Sequence, residues 1–461
     1  MTDGPPVTGR SATSGDDADD VDASTESPDA PVVLLTQPRD GLPAIVEDDD
    51  ALRGAAERLA AGHGPVAVDA ERASGYRYGS KAYLVQLRRA GSGTVLIDPI
   101  ECPDLTVVNR AIDGAEWVLH AASQDLACLV EIGLRPPALF DTELAGRLLG
   151  YPRVALGTMV EELLGFRLEK GHSAADWSTR PLPEPWIRYA ALDVELLVEL
   201  RDVLANELVE SGKDAWAAEE FEALRVAPAA PPREDPWRRT SGLHQVHRPR
   251  QLAAVRELWQ RRDRIAERRN IAPGRILPDA AIVEAALAMP TTVEEMAELP
   301  GFRGKATRRS VGMWFGGIEA ARHLRAGALP PVSRPGVGLP PPRTWAARFP
   351  EAAARFQACR AVLADLSSAI AIPVENLLPP EAVRRLAWEP PDPVTPEVVE
   401  AALLAGGARH WQAELCGPRL AAAVKDADVT TAASTAAAAA KATITVNAER
   451  EPGSEETADD A

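Results

Sequence analysis

An apolar run ends in two carboxylates one residue apart, in the segment Val66-Ala67-Val68-Asp69-Ala70-Glu71. In an extended strand the side chains at i and i+2 lie on one face, so we expect Asp69 and Glu71 to project together. Two carboxylates this close repel each other unless a cation lies between them. A strand that simply ends in two solvated acids has the same pattern, and the pair taken alone favours that interpretation.

Two further segments supply groups that favour a metal site. Asp125 lies early in a predicted helix that follows a strand end, and Tyr189 and Asp193 are four residues apart in another predicted helix, where they share a face. With Asp69 and Glu71 this makes four carboxylates, which suit hard divalent cations such as Mg²⁺ or Mn²⁺. Two such ions about 3.5–4 Å apart would promote phosphodiester hydrolysis, one activating water and the other stabilising the leaving oxygen.

The elements that must position these residues follow from the apolar pattern. Strands are predicted at 65–71, 83–87, 94–98, 117–120 and 139–140, and helices at about 104–113, 123–132 and then to about 208. Strands first, followed by strand–helix alternation, predict a mixed sheet flanked by helices, which is an α/β fold.

Composition divides the rest of the chain. Two proline-rich segments, 226–247 and 329–343, are predicted to be extended linkers between independent units. The predicted order is a disordered acidic tail (1–30), an α/β domain (31–225), a helical domain (248–328), a second helical domain (344–424) and a disordered tail (425–461). A faint repeat, Ile271 to Leu277 against Ile372 to Leu378 at an offset of 101 residues, predicts that the helical domains are copies of one module.

The charge is unevenly distributed along the 461 residues. The net charge is 50 − 68 = −18, yet residues 248–325 carry 15 Lys and Arg against nine acids, which permits polyanion binding by the first helical domain. The four cysteines are scattered, which argues against a disulfide framework or a zinc site. Neither a signal peptide nor a run of 18 apolar residues is present, so we expect a cytoplasmic protein that does not bind membranes.

The set Asp69-x-Glu71, Asp125 and Tyr189-x-x-x-Asp193 resembles the three motifs of the DEDDy 3′–5′ exonucleases. A further segment narrows this resemblance to the ribonuclease D family. It contains Lys170, Asp176-Trp177 and Arg180-Pro181-Leu182. The basic helical domain, with its turn from Leu299 to Lys305, resembles the HRDC domain that follows the nuclease in that family. The resemblance implies a ribonuclease H-like fold with a five-stranded mixed sheet, followed by one clear and one diverged HRDC-type domain.

The family also implies a role for each site residue. Asp69 would bridge two divalent metal ions, Glu71 and Asp193 would complete the site of the water-activating ion, and Asp125 would support the second ion chiefly through water. Tyr189 would orient the attacking water and help to remove its proton. A free tyrosine has a pKa near 10, so we weight orientation above proton abstraction.

Substrate contacts are predicted in two places. Gln86 and Leu87, on the second strand, would contact or wedge the terminal bases, although ordinary sheet packing explains them equally well. In the first helical domain a Gly-containing turn carries four cations that suit phosphates without reading sequence, or that form a solvated basic face. These cations are Arg303, Lys305, Arg308 and Arg309.

Four other residues near the motifs are expected to have structural roles, and a fifth is left open. His120 is expected to be a satisfied buried histidine and Asp141 a helix cap, while Trp177 and Arg180 are expected to anchor a loop. Lys170 suits either a phosphate contact or a solvated surface position.

The predicted function is a metal-dependent 3′–5′ exoribonuclease that shortens RNA 3′ ends, with tRNA precursors as the expected substrates and no obligate protein partner. A DNA 3′–5′ exonuclease has the same motifs, because only contacts to the 2′-hydroxyl distinguish RNA from DNA. A non-catalytic RNA-binding scaffold is the third alternative, and the five intact site residues argue against it.

Overall fold

A mixed sheet of six strands forms the centre of the N-terminal domain, in a computed structural model that describes residues 32–169, 171–228, 231, 233–332 and 338–448. The strand order is β2-β5-β4-β3-β6-β7. These strands are β2 (Ile45–Val46), β3 (His63–Arg72), β4 (Ala82–Ala90), β5 (Gly93–Ile97), β6 (Glu116–Leu119) and β7 (Ala138–Asp141). A separate parallel pair joins β1 (Val33–Leu35) to β8 (Phe166–Leu168).

The predicted mixed sheet flanked by helices is confirmed, but the expected count of five strands is wrong. The additional strand is β2, which pairs in parallel with the outer side of β5 through Ile45 and Leu96. Two residues are too few for a period-two pattern to reveal a strand, so only the tertiary pairing identifies this one.

Among the residues that the structure describes, eight α-helices complete this domain. They are α1 (Asp49–Ala61), α2 (Thr106–Ala111), α3 (Leu126–Glu131), α4 (Thr142–Leu149), α5 (Leu156–Leu164), α6 (Glu184–Asp193), α7 (Leu197–Glu210) and α8 (Asp214–Arg225). One face of the sheet, with Val68 and Leu87, packs in a core with Leu52 of α1 and Val108 of α2. The other face carries Asp69, and α4 to α7 contribute to the cores on that side.

The first helical module follows. Its helices are α9 (Pro249–Arg269), α10 (Pro273–Ile276), α11 (Asp279–Ala288), α12 (Val293–Glu298), α13 (Lys305–Arg309) and α14 (Val311–His323). Trp237 and Val246 lie in the core of this module and are almost fully buried. The second half of the segment 226–247 is therefore part of a packed domain, contrary to the prediction of an extended linker.

The second helical module repeats the beginning of the first. Its helices are α15 (Trp345–Arg348), α16 (Pro350–Ile370), α17 (Val374–Leu377), α18 (Pro380–Trp388), α19 (Pro396–Ala405) and α20 (His410–Ala448). Both α9 and α16 have 21 residues, end in a left-handed residue (Asn270 and Ala371) and lead into a four-residue helix. The starts of α9 and α16 are 350 − 249 = 101 residues apart, as are those of α10 and α17 (374 − 273), which confirms the predicted repeat.

The second module is not an independent unit, because it shares a hydrophobic core with the nuclease-like domain. Leu363, Leu366 and Trp411 belong to the same buried cluster as Val118 and Phe140 of the sheet. The indole of Trp411 stacks on that of Trp216 in α8 with ring centroids 4.9 Å apart. Proline content reveals a connector but not the surfaces that pack after it, so the sequence did not indicate this contact.

The buried lysine Lys213 ties the same two parts together. Its ammonium group donates hydrogen bonds to the carbonyl oxygen of Leu148 at 2.7 Å and to that of Ile370 at 2.8 Å. Close packing continues at Gly150, where an added Cβ would lie 2.3 Å from the carbonyl oxygen of Ala371. Because Gly150 also has a φ of +88°, this close approach requires glycine.

The predicted disordered tail from residue 425 is wrong for its first part, because α20 continues to Ala448. Alanine is the strongest helix former, and an alanine-rich segment that follows a packed helix extends it. The predicted tail 1–30, the end of the chain after 448, and Lys170 lie outside the described residues. Within the described residues, no helix is long and apolar enough to cross a membrane.

Candidate active site

Three carboxylates meet at the centre of a cleft. One oxygen each of Asp69, Glu71 and Asp193 lies within 4.8 Å of the others. Asp69 and Glu71 share a face of β3, as their alternation predicted, and Asp193 ends α6 above that face. All five predicted site residues, including Asp125 and Tyr189, line this cleft of about 610 Å³. The structure therefore brings the predicted site together.

The electrostatics of this cluster favour a bound cation. Burial, together with the nearby charges of Asp69, Asp193 and Asp125, raises the pKa of Glu71 to about 10. Burial also raises the pKa of Asp69 and of Asp193. The carboxylates are thus costly to ionise together, and a divalent cation among them removes that cost. Hard oxygen donors at this spacing fit Mg²⁺ or Mn²⁺.

Asp125 approaches the cluster from a different turn. Burial and the charge of Asp69, opposed in part by the guanidinium of Arg72, raise its pKa to about 7. The turn before it includes Ala121, whose φ is +58°. The Asp141 carboxylate accepts hydrogen bonds from the backbone N–H groups of Ala121 and Ala122, at 3.0 and 2.9 Å. Asp141 thereby holds the turn that presents Asp125, in addition to its predicted role as the cap of α4.

Tyr189 and Asp193 lie one helical turn apart on α6, and both side chains line the cleft. Burial and the charges of Asp193, Glu71 and Asp69 raise the pKa of Tyr189 above its ordinary value. The ring lies 6.3 Å from that of Trp177, which is fully buried. Tyr189 is therefore a neutral, packed hydrogen-bonding group in this arrangement.

Arg72 is a residue of the cleft that the sequence analysis missed. Its Nη2 lies 3.3 Å from Asp125 Oδ1, and its Nη1 donates to the carbonyl oxygen of Gln124 at 2.7 Å. Strand alternation assigns Arg72 to the face opposite Glu71, yet both line the cleft. The pairing with β4 is irregular between these two residues, and such an irregularity re-aims a side chain. The only sequence signal was a cation directly after the motif.

Two predicted substrate contacts are contradicted by the structure. Leu87 pairs with Val68 and packs in the core on the face opposite Asp69, fully buried. Gln86 is on the face of Asp69, its partner in the ladder, but it also has no exposed surface. Neither side chain is accessible to a terminal base. Alternation gives the face of a residue but not the depth to which neighbouring elements cover it.

His120 and Arg180 make the contacts of structural residues, although His120 is only half-buried and also lines the cleft. His120 Nδ1 shares a hydrogen bond of 2.9 Å with the hydroxyl of Thr142, and burial lowers the pKa of the imidazole to about 4. Arg180 donates to the carbonyl oxygen of Tyr83 at 2.8 Å and to Asp98 at 2.9 Å, which anchors its loop.

The four cations of the first helical module remain exposed around the short helix α13. Arg303 donates to the carbonyl oxygen of Glu298 at 3.0 Å and lies 3.8 Å from the Glu298 carboxylate, so it is partly engaged. The exposed cations Lys305, Arg308 and Arg309 stay candidates for phosphate contact.

Family profiles match three parts of the chain. A 3′–5′ exonuclease profile matches residues 43–209, an HRDC domain profile matches 251–316, and a 3′ to 5′ exonuclease C-terminal domain profile matches 338–424. A ribonuclease D from Gluconacetobacter diazotrophicus is 33% identical over 297 residues, which cover 62% of this chain and 74% of the relative.

Two solved structures cover most of the chain. A protein from Bifidobacterium adolescentis has a TM-score of 0.78 and 37% identity, covering 85% of this chain and 99% of that one. Escherichia coli RNase D, described as an exoribonuclease involved in structured RNA processing, has a TM-score of 0.58 and 27% identity, covering 78% and 98%. The likeness thus extends through the nuclease-like domain and both helical modules.

Proposed function

Because this chain belongs to the ribonuclease D family and is a 3′–5′ exoribonuclease, we propose that it removes nucleotides from the 3′ ends of structured RNAs such as tRNA precursors. The observation that carries the proposal is the convergence of Asp69, Glu71 and Asp193 within 4.8 Å, with Tyr189 lining the same cleft. In a structural ion-pair network, Lys or Arg side chains would lie between the acids. Asp69, Glu71 and Asp193 instead face one another directly.

In this proposal Asp69, Glu71 and Asp193 would hold one divalent ion, and Asp69 and Asp125 would hold a second. Mg²⁺ or Mn²⁺ fits these oxygen ligands. When bound, such ions supply a nucleophilic hydroxide at neutral pH and neutralise charge on the leaving oxygen. The four carboxylates would hold the ions at one wall of the cleft. The scissile phosphodiester must therefore lie at that wall.

Tyr189 orients the attacking water in this proposal. Its phenol is neutral because burial and three carboxylates raise its pKa, so it donates and accepts hydrogen bonds rather than acting as the base. Its place on α6, one helical turn before Asp193, brings the hydroxyl to the carboxylates, and the packing against Trp177 fixes the ring. A water held between Tyr189 and the acids would thus be aimed at the phosphorus.

The first helical module would hold the RNA by its backbone. Lys305, Arg308 and Arg309 are exposed on a single short helix after a Gly-containing turn, which suits sequence-independent phosphate contact. At the offset of 101 residues the corresponding part of the second module is 406–410, where the one arginine, Arg409, lies 3.4 Å from the carboxylate of Glu220 and is not a free cation. We therefore assign RNA retention to the first module.

The test is product analysis on a 3′-extended tRNA precursor with and without Mg²⁺ or Mn²⁺. We expect mononucleotides to be released in order from the 3′ end, and EDTA to stop the release. Asp69→Ala and Asp193→Ala should each abolish hydrolysis and leave folding and RNA retention nearly intact. Wild-type activity in either purified variant would overturn the metal assignment.

Parallel digestion of matched RNA and DNA oligonucleotides tests the substrate class. We expect faster cleavage of RNA, and a preference for DNA would make the protein a DNA exonuclease with the same chemistry. If neither RNA nor DNA is hydrolysed in the presence of metal, the non-catalytic RNA-binding scaffold is the remaining explanation.

A further inference from the structure

The strand that carries Asp69 and Glu71 ends at Arg72, and the segment that follows contacts the first helical module. We name this segment, residues 73–80, the exit loop. Only one residue, Arg72, separates the exit loop from Glu71. Anything that moves the exit loop therefore acts close to the metal-binding carboxylates.

Backbone and side chains of the module bind the exit loop at four points. The Ala272 N–H donates to the carbonyl oxygen of Tyr76 at 2.9 Å, and Arg275 Nε donates to that of Gly75 at 2.8 Å. The Tyr78 N–H donates to Asn270 Oδ1 at 3.3 Å.

The hydroxyl of Tyr78 donates to the carboxylate of Asp263 in α9, at 3.2 and 3.3 Å from its two oxygens. A contact with this many directional bonds fixes orientation, whereas a loose tether between two domains would not.

Arg275 also makes the contact that joins the module to the aromatic residues of the nuclease domain. Its guanidinium lies 4.0 Å from the centroid of the Tyr76 ring, a cation–π distance. Tyr76 in turn packs against a buried cluster that contains Trp177 together with Ala190 and Ala191 of α6.

The helix α6 carries Tyr189 and Asp193, so packed side chains connect Arg275 with the residues that act in the cleft. A second link runs in parallel through the loop that holds Trp177. Arg77 of the exit loop donates from Nε to the hydroxyl of Ser178 at 2.6 Å. The Trp177 ring then lies 6.3 Å from that of Tyr189. The exit loop is thus bound on one side by the helical module and on the other by the residues that orient the catalytic tyrosine.

We propose that the first helical module positions the catalytic residues of the nuclease domain through the exit loop, with Arg275 and Tyr76 as positioning residues. This inference rests on the proposed exoribonuclease function and adds to it. The module then has two separable roles. Its exposed cations retain RNA, and the end of α9 together with α10, which contacts the exit loop, maintains the geometry of the site. An error of about 1 Å in a catalytic group costs roughly a hundredfold in rate, so a modest shift of the exit loop is sufficient for a measurable effect.

The two roles predict different kinetics. Loss of RNA retention raises KM on long RNA and leaves kcat unchanged, since a saturated cleft has the same geometry. Loss of positioning lowers kcat at saturation, and it also lowers the rate on ApA, a dinucleotide whose one phosphodiester lies in the cleft and which offers no other phosphate to the module.

The experiment compares Arg275→Ala and Tyr78→Phe with wild type on an RNA 20-mer at saturation and on ApA, using the full chain. We expect Arg275→Ala to lower kcat about tenfold or more on the 20-mer and the rate on ApA by a similar factor. Tyr78→Phe should have a smaller effect of the same kind. Arg275→Lys keeps a cation near the Tyr76 ring and should restore part of the rate.

The matched control is Arg268→Ala. Arg268 lies in the last turn of α9, is exposed, and makes no hydrogen bond or ion pair within the described part of the chain. Its replacement removes the same charge from the same module without touching the exit loop, so kcat should remain that of wild type.

Two results would overturn the proposal. One is wild-type kcat in Arg275→Ala with only KM changed, and the other is an equal loss of kcat in Arg268→Ala. Circular dichroism and Tm establish that each variant is folded, and Tyr78→Phe, which deletes a single oxygen, provides the same comparison if Arg275→Ala does not fold. Absence of hydrolysis by wild type would instead disprove the exoribonuclease function itself.

Discussion

The guanidinium of Arg72 lies 3.3 Å from the carboxylate of Asp125, the acid that stands apart from the group formed by Asp69, Glu71 and Asp193. Arg72 thus neutralises one acid on the wall of the cleft where a cation would bind. We predict that Arg72→Met strengthens Mg²⁺ binding by roughly twofold to fivefold, since a partly exposed ion pair contributes about 0.5–1 kcal/mol. In this variant the guanidinium no longer competes with the metal ion for Asp125. Isothermal titration calorimetry measures the affinity, and unchanged or weaker binding would show that Arg72 does not compete.

Tyr189→Phe removes the phenol oxygen and keeps the ring against Trp177. We expect kcat to fall about tenfold to a thousandfold, since the water loses its orienting partner, while Mg²⁺ affinity changes little. Single-turnover kinetics at saturating metal, together with a metal titration, separate the two quantities. An equal loss from Tyr151→Phe, whose hydroxyl binds Glu207 outside the cleft, would assign the effect to stability instead.

Mg²⁺ binding should release protons and strengthen as the pH rises. Burial raises the pKa of Asp125 to about 7 and that of Glu71 to about 10, so the metal-free cluster binds protons at neutral pH that the ion must displace. We expect the affinity to increase severalfold between pH 6 and pH 8. Calorimetry in buffers of different ionisation enthalpy counts the protons released.

The same shifts predict how the stability of the metal-free protein depends on pH. A carboxyl whose folded pKa lies above its unfolded value favours folding at low pH, and this contribution is lost as the pH rises through the folded pKa. For Asp125 that interval is from its ordinary 3.8 to about 7. The Tm without metal should therefore fall between about pH 4 and pH 7, less so in Asp125→Asn, and a flat profile would contradict the assignment.

The shared core predicts that the nuclease domain and the second helical module unfold together. Trp411 is almost fully buried and stacks on Trp216, so Trp411→Ala should cost about 3–5 kcal/mol of unfolding free energy and lower the Tm of the nuclease domain as well. Val429→Ala, at a residue of α20 that is 70% exposed, should change stability by less than about 0.5 kcal/mol. Two separate calorimetric transitions for these parts would contradict the shared core.

The exposed cations of α13 should account for part of the salt dependence of RNA binding. The double replacement Arg308→Ala with Arg309→Ala is expected to reduce the slope of log affinity against log salt by about 1.4, since each phosphate contact on a single strand contributes about 0.7. The control is Arg58→Ala with Arg110→Ala, which removes two exposed arginines from α1 and α2 behind the sheet. Equal slopes in both variants would show that α13 does not bind phosphates.

The sequence by itself determined the local arrangement of the chemistry. Strand alternation placed Asp69 and Glu71 on one face, helix spacing placed Tyr189 beside Asp193, and the repeat of 101 residues identified two copies of one helical module. Each of these relations depends on the backbone repeat of a single element, or on similarity between two segments, so no tertiary information is required.

Tertiary structure alone decided which side chains reach the cleft and which domains act together. Leu87 and Gln86 are covered although their strand was predicted, Arg72 enters the cleft through an irregular pairing, and Trp411 joins the nuclease core across almost 200 residues from Trp216. Burial depth, strand register and docking between modules arise from many weak contacts between segments far apart in the chain, and no period along the sequence records them.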